Sequence, residues 1–393
     1  LAHFWLQLGH SDAWLRLLPI SFGVINIYAI YIFANKLLPK KNSGLLASLF
    51  LAIAPFHIYY SQEFRSYSLL CLLGTLSMYF LFKKKYLSLA IVNSLLFYSH
   101  YSSVFLILTQ ILLVTKLDYK KYIIHNTLYL ILILPWLPQF VSQLGSGVNI
   151  DTYLPGWRSV LSTAPLKTLP VTLFKIVAGR ISFLSRYLYG LYIVFVLIVT
   201  FAGLVVAQAQ RRFLLAWAFG PIFIMLAVSF FLPQSQPFRV IYILPAFILA
   251  FSQAAMRFPK LFLTLLLYIS LTGNITYFTR PRIQREQWRQ AVAFLTTRDS
   301  VSVVKFSGSF SPIAWYNPDL PVIAAVPSFP AKPDEVASRL IPLSTARSVF
   351  VFDYLGELTD PNRVTDQIVK EMGFSEVKIH DFSGVGFIRE YHR

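Results

Sequence analysis

Long runs of apolar residues, separated by short polar connections, fill residues 1–279. A helix needs about 20 consecutive apolar residues to cross roughly 30 Å of hydrocarbon, and several runs reach that length. The pattern predicts an α-helical polytopic membrane protein. Its ten predicted spans lie at 15–38, 44–60, 66–82, 86–99, 102–115, 122–141, 187–207, 212–232, 238–256 and 260–279.

The pattern changes after residue 279. Short apolar runs typical of buried strands alternate with polar segments and one amphipathic helix, and no Gly-rich phosphate loop or nucleophile elbow occurs among them. This region predicts a small α/β domain over 280–393, which follows a transmembrane domain over 1–279. The predicted strands are Val301–Phe306, Val349–Phe352, Glu376–Ile379 and Gly386–Ile388, and the predicted helix is Asn362–Met372.

Composition supports the membrane class. Mean hydropathy is +0.59 and charged residues make up 13% of the chain, whereas soluble domains carry about a quarter. The net charge is +18, of which +17 falls in residues 1–279, where 21 Lys and Arg face four acids. These cations cluster in short connections, so membrane topology explains them better than nucleic-acid binding does. The single cysteine, Cys71, excludes an internal disulfide.

Charge also predicts sidedness. Thirteen cations and one acid, Asp118, fall in alternate connections, which predicts that these connections are cytoplasmic. The N-terminal stretch, the loop 142–186 and the domain 280–393 then lie outside. Basic clusters flank 86–115 on both sides, so this segment must cross twice, as a short hairpin turning at Ser99–Tyr101. The later part of the long loop, Leu169–Leu184, predicts an interfacial helix.

The richest candidate chemistry is the outer connection YYSQEFRSY, from Tyr59 to Tyr67. Ionisable groups beside hydrocarbon are costly, so they usually face a cavity or one another. Arg65 suits a phosphate because its guanidinium is always charged and offers forked donors. Glu63 can accept a proton or orient Arg65. The alternative is an interfacial ion pair within a tyrosine belt.

Two further outer positions carry candidate residues. His100 lies at the predicted hairpin turn, where it can bind an anion or relay a proton, although a lone histidine is more often structural. Arg239 opens the ninth predicted span and is either a second phosphate ligand or a snorkelling side chain. A divalent metal held by Glu63, His100 and Asp151 stays open, but their spacing does not require one.

An ordered set of segments resembles the GT-C membrane glycosyltransferases, of the protein O-mannosyltransferase and aminoarabinose-transferase type (glycosyltransferase family 39-like). No single segment is diagnostic, and together they cover nearly the whole chain. The segments are HFWLQLGHSDAWLRLLPISFG (3–23), APFHIYYSQEFRSYSLL (54–70), FYSHYSSVFLILTQ (97–110), PWLPQF (135–140), PFRVIYILPAF (237–247) and REQWRQAVAFL (285–295).

The resemblance implies inverting sugar transfer from a polyprenyl-phosphate donor to an acceptor hydroxyl on a protein, lipid or glycan, at the outer face of a bacterial inner membrane. It places Glu63, Arg65 and Tyr67, together with His100 and Arg239, at the substrate cavity. It also places the main catalytic acid in a loop that would lie upstream of Leu1. The catalytic residue is therefore unknown, and Asp12 does not replace it.

Two other classes remain open. A transporter or flippase of a lipid-linked anion would also use outer arginines in a lipid-accessible cavity, although transporters commonly carry internal repeats. No repeat relates 1–140 to 187–279. The third reading is an outer-face scaffold that has lost activity.

Overall fold

The computed structural model describes residues 1–38, 40–153, 156–162, 164–183, 185–308 and 310–393. The chain forms two compact units. The first, which we name the helical unit, contains Leu1–Val148 and Leu161–Thr279. The second, the sheet unit, contains Arg280–Arg393 together with Asn149–Val160 from the long loop.

Helices account for almost all the secondary structure before residue 280. In chain order they are α1 (Ala2–Leu8), α2 (Asp12–Leu37), α3 (Ser43–Ile53), α4 (Pro55–Ser61), α5 (Tyr67–Phe82), α6 (Tyr86–Ser99), α7 (Ser103–Ile111), α8 (Tyr119–Ile133), α9 (Leu137–Val148), α10 (Ile150–Tyr153), α11 (Trp157–Leu161), α12 (Pro165–Ala178), α13 (Arg186–Val206), α14 (Arg211–Ser229), α15 (Leu244–Arg257) and α16 (Pro259–Thr279). Two 3₁₀ segments, Leu134–Trp136 and Pro237–Ile243, precede α9 and α15.

The ten predicted segments are all helical, but the count of ten spans is not confirmed. Among the described residues, six helical stretches are long and apolar enough to cross a membrane, or seven if the bent pair α3–α4 is one span. The pair bends by 63° where Pro55 begins α4, because proline cannot continue the hydrogen bonding of α3. Helix α6 has 14 residues, which rise only about 21 Å. The chain is an integral membrane protein with several short or broken helices.

The predicted hairpin at 86–115 is confirmed as two helices, because α6 ends at Ser99 and α7 begins at Ser103. A closed polar triad ties the hairpin to α5. The Ser77 hydroxyl donates to Asn93 at 2.7 Å, the Asn93 amide donates to Gln110 at 2.9 Å, and the Gln110 amide donates back to Ser77 at 2.7 Å. Such interhelical hydrogen bonds stabilise packing where lipid offers no partner.

Three contacts each join one of the basic loops between helices to another part of the helical unit that is predicted to lie on the same side. The Lys84 ammonium lies 2.7 Å from Asp118. Lys40 donates to the carbonyl of Met256 at 3.4 Å, and Arg212 donates to the carbonyl of Leu112 at 3.4 Å. The contacts agree with the grouping of these connections that the charge pattern predicts. Which side of a membrane they face remains a prediction.

The sheet unit contains a five-stranded sheet in the order β2-β1-β3-β5-β4. Strands β1, β2 and β3 are parallel, whereas β5 is antiparallel to both β3 and β4. The elements are α17 (Trp288–Thr296), β1 (Val301–Val304), α18 (Ser311–Tyr316), β2 (Val322–Ala324), α19 (Pro333–Leu340), β3 (Ser348–Phe352), α20 (Gly356–Thr359), α21 (Val364–Glu371), β4 (Ser375–Phe382) and β5 (Gly386–His392).

The four predicted strands and the predicted helix of this unit are confirmed, with shifted ends. Strand β2 was not predicted, because a three-residue strand carries almost no periodic signal. Apolar side chains pack on both faces of the sheet, with α19 and α21 on one face and α17 and α18 on the other. The unit is therefore a small α/β domain.

A buried ion cluster lies at the carboxyl ends of β1 and β3. Lys305 follows β1, is 2% exposed, and places its Nζ 3.0 Å from Asp353, which follows β3. The same Nζ lies 2.7 Å from Asp366 and 3.8 Å from Asp360. Arg389 of β5 lies 2.8 Å from Asp353. We name these five side chains the Lys305 cluster.

Candidate functional site

The connection Gln62–Ser66 joins α4 to α5 and carries Glu63 and Arg65. Tight backbone hydrogen bonds shape it, including a 2.6 Å bond from the amide of Arg65 to the carbonyl of Glu63. The Arg65 Nε lies 3.5 Å from the Glu63 Oε1. The guanidinium side chain is 66% exposed and the carboxylate side chain 17% exposed. The two charges therefore form a long ion pair whose arginine is largely exposed.

Arg65 also lines a cavity of the helical unit, which has a volume of about 490 Å³. The rest of the lining is mostly apolar and comes from α1, α2, α5 and α6 together with the connection itself. Its members include Leu18, Phe22, Phe64, Leu69, Leu73 and Leu95. The cavity thus combines an apolar wall with one exposed cation, as a binding site for an amphipathic anion requires.

A chain of aromatic rings extends from Tyr59 to Phe238. Edge-to-face and tilted contacts join Tyr59 to Tyr60 at 4.9 Å, Tyr60 to Tyr67 at 5.2 Å, and Tyr67 to Phe238 at 4.9 Å between ring centroids. The three tyrosines are buried. These rings connect the Gln62–Ser66 connection to the 3₁₀ segment that carries Arg239.

His100 and Arg239 are brought together through Ser102. The Ser102 hydroxyl lies 2.8 Å from the His100 Nδ1 and donates 2.5 Å to the carbonyl of Arg239. The amide of Ser102 donates to the same Nδ1 at 3.1 Å. The Arg239 guanidinium donates to the carbonyl of Pro233. Tyr67 completes this group, with its ring 6.1 Å from that of His100.

Arg180 is a site residue that the sequence did not single out. It follows α12, and its Nη1 donates 2.8 Å to the Tyr59 hydroxyl. Its guanidinium carbon lies 4.9 Å from the centroid of the Tyr59 ring. Partial burial lowers the pKa of Arg180, whereas neighbouring tyrosines and Glu63 raise it above the ordinary value.

Two glycines hold Arg180 in this place. Gly179 has φ of +82°, and a Cβ there would lie 2.7 Å from the Cβ of Pro55. A Cβ at Gly273 of α16 would lie 2.6 Å from the carbonyl oxygen of Ala178. Only glycine permits this close approach, so the end of α12 is fixed against the α3–α4 bend.

The metal hypothesis gains no geometric support. Within the described part of the chain, no three His, Cys, Asp or Glu side chains are grouped so as to hold a metal ion. The side chain of Asp151 lies outside the described residues. Glu63 is instead paired with Arg65, and His100 is hydrogen-bonded to Ser102.

Comparison with known proteins adds little to this geometry. No family model matches the chain, and no curated protein matches it. Among solved structures it is similar to the crystal structure of ArnT from Cupriavidus metallidurans in the apo state. The TM-score is 0.39 and the identity 10%, over 96% of this chain and 83% of that chain. Because this likeness is weak, function is argued from the site.

Proposed function

We propose that the chain is a GT-C type membrane glycosyltransferase. It transfers a sugar from a polyprenyl-phosphate donor to an acceptor hydroxyl at the outer face of the membrane. The observation that carries the proposal is the cavity of about 490 Å³, whose apolar wall ends at the exposed Arg65 guanidinium. The ordered sequence resemblance to that family points the same way.

The cavity matches a polyprenyl phosphate in two respects. An isoprenoid chain is apolar and flexible, and Leu69, Leu73 and Phe22 offer it apolar surface. The phosphate at its head is an anion, and the forked donors of Arg65 suit phosphate oxygens. Binding one amphipathic molecule would satisfy both parts of the cavity.

The proposed reaction is a displacement at the anomeric carbon. The acceptor hydroxyl oxygen forms the new bond and gives its proton to a carboxylate base. The bond from the sugar to the phosphate oxygen breaks, with its electron pair going to the lipid phosphate. Fixed cations such as Arg65 and Arg239 stabilise the charge that develops on that phosphate. Glu63 and His100 orient donor or acceptor, and Tyr67 packs behind them.

The proposal includes an orientation and a division of the chain. Residues 1–279 would form the transmembrane part, in a bacterial inner membrane. Residues 280–393 would form a domain on the extracytoplasmic side. Partners would be the lipid-linked sugar, the bilayer, and an acceptor protein, lipid or glycan of the cell envelope. The sparse outer charges and the basic opposite connections support this orientation.

A flippase of a lipid-linked anion is the alternative, since it would need the same lipid-accessible cavity with a cation at its end. Transfer and transport are separable in proteoliposomes that contain the full chain and labelled polyprenyl-phosphate sugars. The transferase predicts a labelled acceptor and free polyprenyl phosphate. A flippase predicts that the intact donor changes leaflet without a labelled product.

Arg65→Ala tests the site in the same assay. We expect label transfer to disappear while the variant still inserts and purifies as the parent does. Arg186→Ala, at the start of α13 and away from the cavity lining, is the matched control and should transfer normally. Undiminished transfer by Arg65→Ala would overturn the assignment.

A further inference from the structure

Ser102 uses all of its polar groups to connect the α6–α7 turn to the 3₁₀ segment Pro237–Ile243. It is 3% exposed. Its hydroxyl donates to the carbonyl of Arg239 at 2.5 Å and lies 2.8 Å from His100 Nδ1. Its amide donates to the same Nδ1 at 3.1 Å, and its carbonyl accepts from the Tyr242 hydroxyl at 2.6 Å. A serine that the sequence did not single out therefore holds two of the candidate residues in place.

The 3₁₀ segment needs such partners because its backbone is irregular. Val240 has φ of −115°, which interrupts the helical conformation. At membrane depth, irregular backbone is tolerated where other groups satisfy it. Ser102 and Cys71 of α5 each donate to one carbonyl of the segment, Cys71 to that of Ile241 at 3.6 Å. The two residues share this capping role, and Ser102 adds to it the two contacts with the His100 ring.

The polar atoms of His100 and Arg239 that Ser102 does not engage can bind an anion. Within the part of the chain that the structure describes, His100 Nε2 has no hydrogen-bond partner. The Arg239 guanidinium donates to the carbonyl of Pro233 and forms no ion pair with any carboxylate of the described residues. Both side chains are half-buried. An unpaired cation beside hydrocarbon is costly, and a bound anion would remove that cost.

Tyr67 places these groups next to the cavity. Its ring lies 6.1 Å from the ring of His100 and 4.9 Å from that of Phe238 in the 3₁₀ segment. The cavity lining includes Ser66 and Ser99, which directly precede Tyr67 and His100 in the chain. The polar group therefore adjoins the polar end of the cavity lining rather than its apolar wall.

We propose that Ser102 is a positioning residue that holds His100 and Arg239 as one phosphate subsite at the edge of the cavity. The Arg239 guanidinium and the Nε2–H group of His100 donate to oxygens of the same phosphate, and Ser102 fixes their separation without touching the ligand. The inference deepens the proposed function and rests on it for its ligand, the phosphate of a polyprenyl-linked donor. A free phosphate offers the same oxygen acceptors, so the test compares the two sources.

Binding to the purified full chain in nanodiscs is titrated with farnesyl phosphate, farnesol and inorganic phosphate. Ser102→Ala removes the hydroxyl and keeps the backbone contacts. We expect it to bind farnesyl phosphate about tenfold more weakly than the parent, which corresponds to about 1.4 kcal/mol, and to bind farnesol as the parent does. A loss confined to the phosphate ligand separates a misplaced subsite from a damaged cavity. Ser102→Thr keeps a hydroxyl and should recover most of the loss.

Cys71→Ala is the matched control, because it also removes one atom that donates to a carbonyl of the 3₁₀ segment. It should bind all three probes as the parent does. Equal losses in Ser102→Ala and Cys71→Ala would show that Ser102 only caps the backbone, and would overturn the proposal.

His100→Ala tests the subsite without changing Ser102. It should also weaken farnesyl phosphate binding about tenfold. Adding Ser102→Ala to it should then cost less affinity than Ser102→Ala costs in the parent, because one of the two positioned groups is already absent. Fully additive losses would contradict the coupling. If Ser102→Ala does not fold, unchanged binding of farnesyl phosphate by His100→Ala still overturns the proposal.

Kinetics give a readout that a merely structural role would not move. A structural defect that lowers the fraction of active protein lowers kcat and leaves the KM for the lipid donor unchanged. In proteoliposomes that transfer label, we expect Ser102→Ala to raise that KM severalfold. A fall in kcat with an unchanged KM would contradict a positioning role.

The binding of the parent tests the proposed function separately. If the parent binds farnesyl phosphate no better than farnesol, the lipid-phosphate site is wrong, and the proposed function fails with it. If the parent prefers farnesyl phosphate and Ser102→Ala keeps that preference in full, only the role of Ser102 is wrong. Equal affinity of the parent for inorganic phosphate and farnesyl phosphate would mean that the lipid contributes nothing, which overturns the lipid-linked ligand.

Discussion

The Gln62–Ser66 connection and the Lys305 cluster use the same side-chain types in opposite ways. In the connection, one carboxylate and an exposed arginine meet at 3.5 Å beside a cavity. In the cluster, a lysine that is 2% exposed contacts Asp366 at 2.7 Å and Asp353 at 3.0 Å. The first arrangement is exposed beside a cavity, whereas the second is buried and its charges contact one another.

The difference shows how burial separates binding charges from structural ones. The Lys305 cluster lies where the chain crosses from one side of β1 to the other, a position at which open α/β sheets commonly bind ligands. Here Asp366 is further held by the Tyr391 hydroxyl at 2.8 Å, and Asp360 accepts from the amides of Val364 and Thr365 at the start of α21. The charged groups of the Lys305 cluster therefore stabilise the fold. The following predictions test the contrast between this cluster and the Gln62–Ser66 connection.

The largest expected effect is on the stability of the sheet unit. Lys305→Met should cost about 3–5 kcal/mol of unfolding free energy, because it leaves buried carboxylates without their cation. Hydrogen exchange of the β3 amides in the full chain measures it. Lys332→Met removes an exposed ion pair with Glu335 and should leave exchange unchanged. If the β3 amides of Lys305→Met exchange as slowly as those of the parent, the Lys305 cluster does not stabilise the sheet unit, and the contrast with the Gln62–Ser66 connection is wrong.

Arg65→Ala should leave the stability of the fold unchanged and weaken ligand binding. Its thermal unfolding should match that of the parent, since the exposed guanidinium contributes little to the fold. Its affinity for farnesyl phosphate should fall about tenfold or more, as expected for the loss of a charged hydrogen bond. If Arg65→Ala unfolds at a lower temperature than the parent but binds farnesyl phosphate normally, Arg65 stabilises the fold and does not bind the ligand.

A smaller effect should come from filling the cavity. Leu69→Trp places a larger side chain on the apolar wall, so long-chain polyprenyl phosphates should bind severalfold more weakly while inorganic phosphate is unaffected. Leu108→Trp, at an exposed position of α7 outside the cavity lining, is the control. Equal losses in the two variants would indicate a general membrane effect.

The smallest effect concerns acid stability of the sheet unit. Burial raises the pKa of Asp366, but Lys305, Tyr391 and Arg363 more than offset this, so the pKa lies below the ordinary value. A depressed pKa gives stability that is present above the unfolded value of about 4 and is lost as the pH falls through the folded value. In Asp366→Asn, the free energy of unfolding should therefore depend less on pH across about pH 3 to 6 than it does in the parent. The same pH dependence in both proteins would contradict this prediction.

Hydropathy predicted the positions of most helices of the helical unit, but it did not predict every break in them. The helix ends at Leu37, Phe82 and Ser99 lie within one residue of the predicted ends, because apolar runs stop at polar connections. The short hairpin was predicted as well, and α6 and α7 are its two short helices. The bend at Pro55 was missed, although proline was its available signal.

The candidate residues divide in a similar way. Glu63 and Arg65 were found because isolated charges stand out between apolar runs. Arg180 lies within the interfacial helix predicted at Leu169–Leu184 and was not singled out there. The structure ends that helix at Ala178, while Leu184 lies outside the described residues. The glycine before Arg180 was the missed signal. That Arg65 and Arg239 hold one phosphate remains a prediction.

The most direct test of the central claim is photo-crosslinking of the full chain in nanodiscs with a polyprenyl phosphate that carries a photoreactive group in its isoprenoid tail. The account predicts that label falls on peptides from α2, α5 and α6, that unlabelled farnesyl phosphate competes it away, and that Arg65→Ala loses it. Label concentrated on α13 or α16, or label indifferent to both the competitor and Arg65, would contradict a lipid-phosphate site at this cavity.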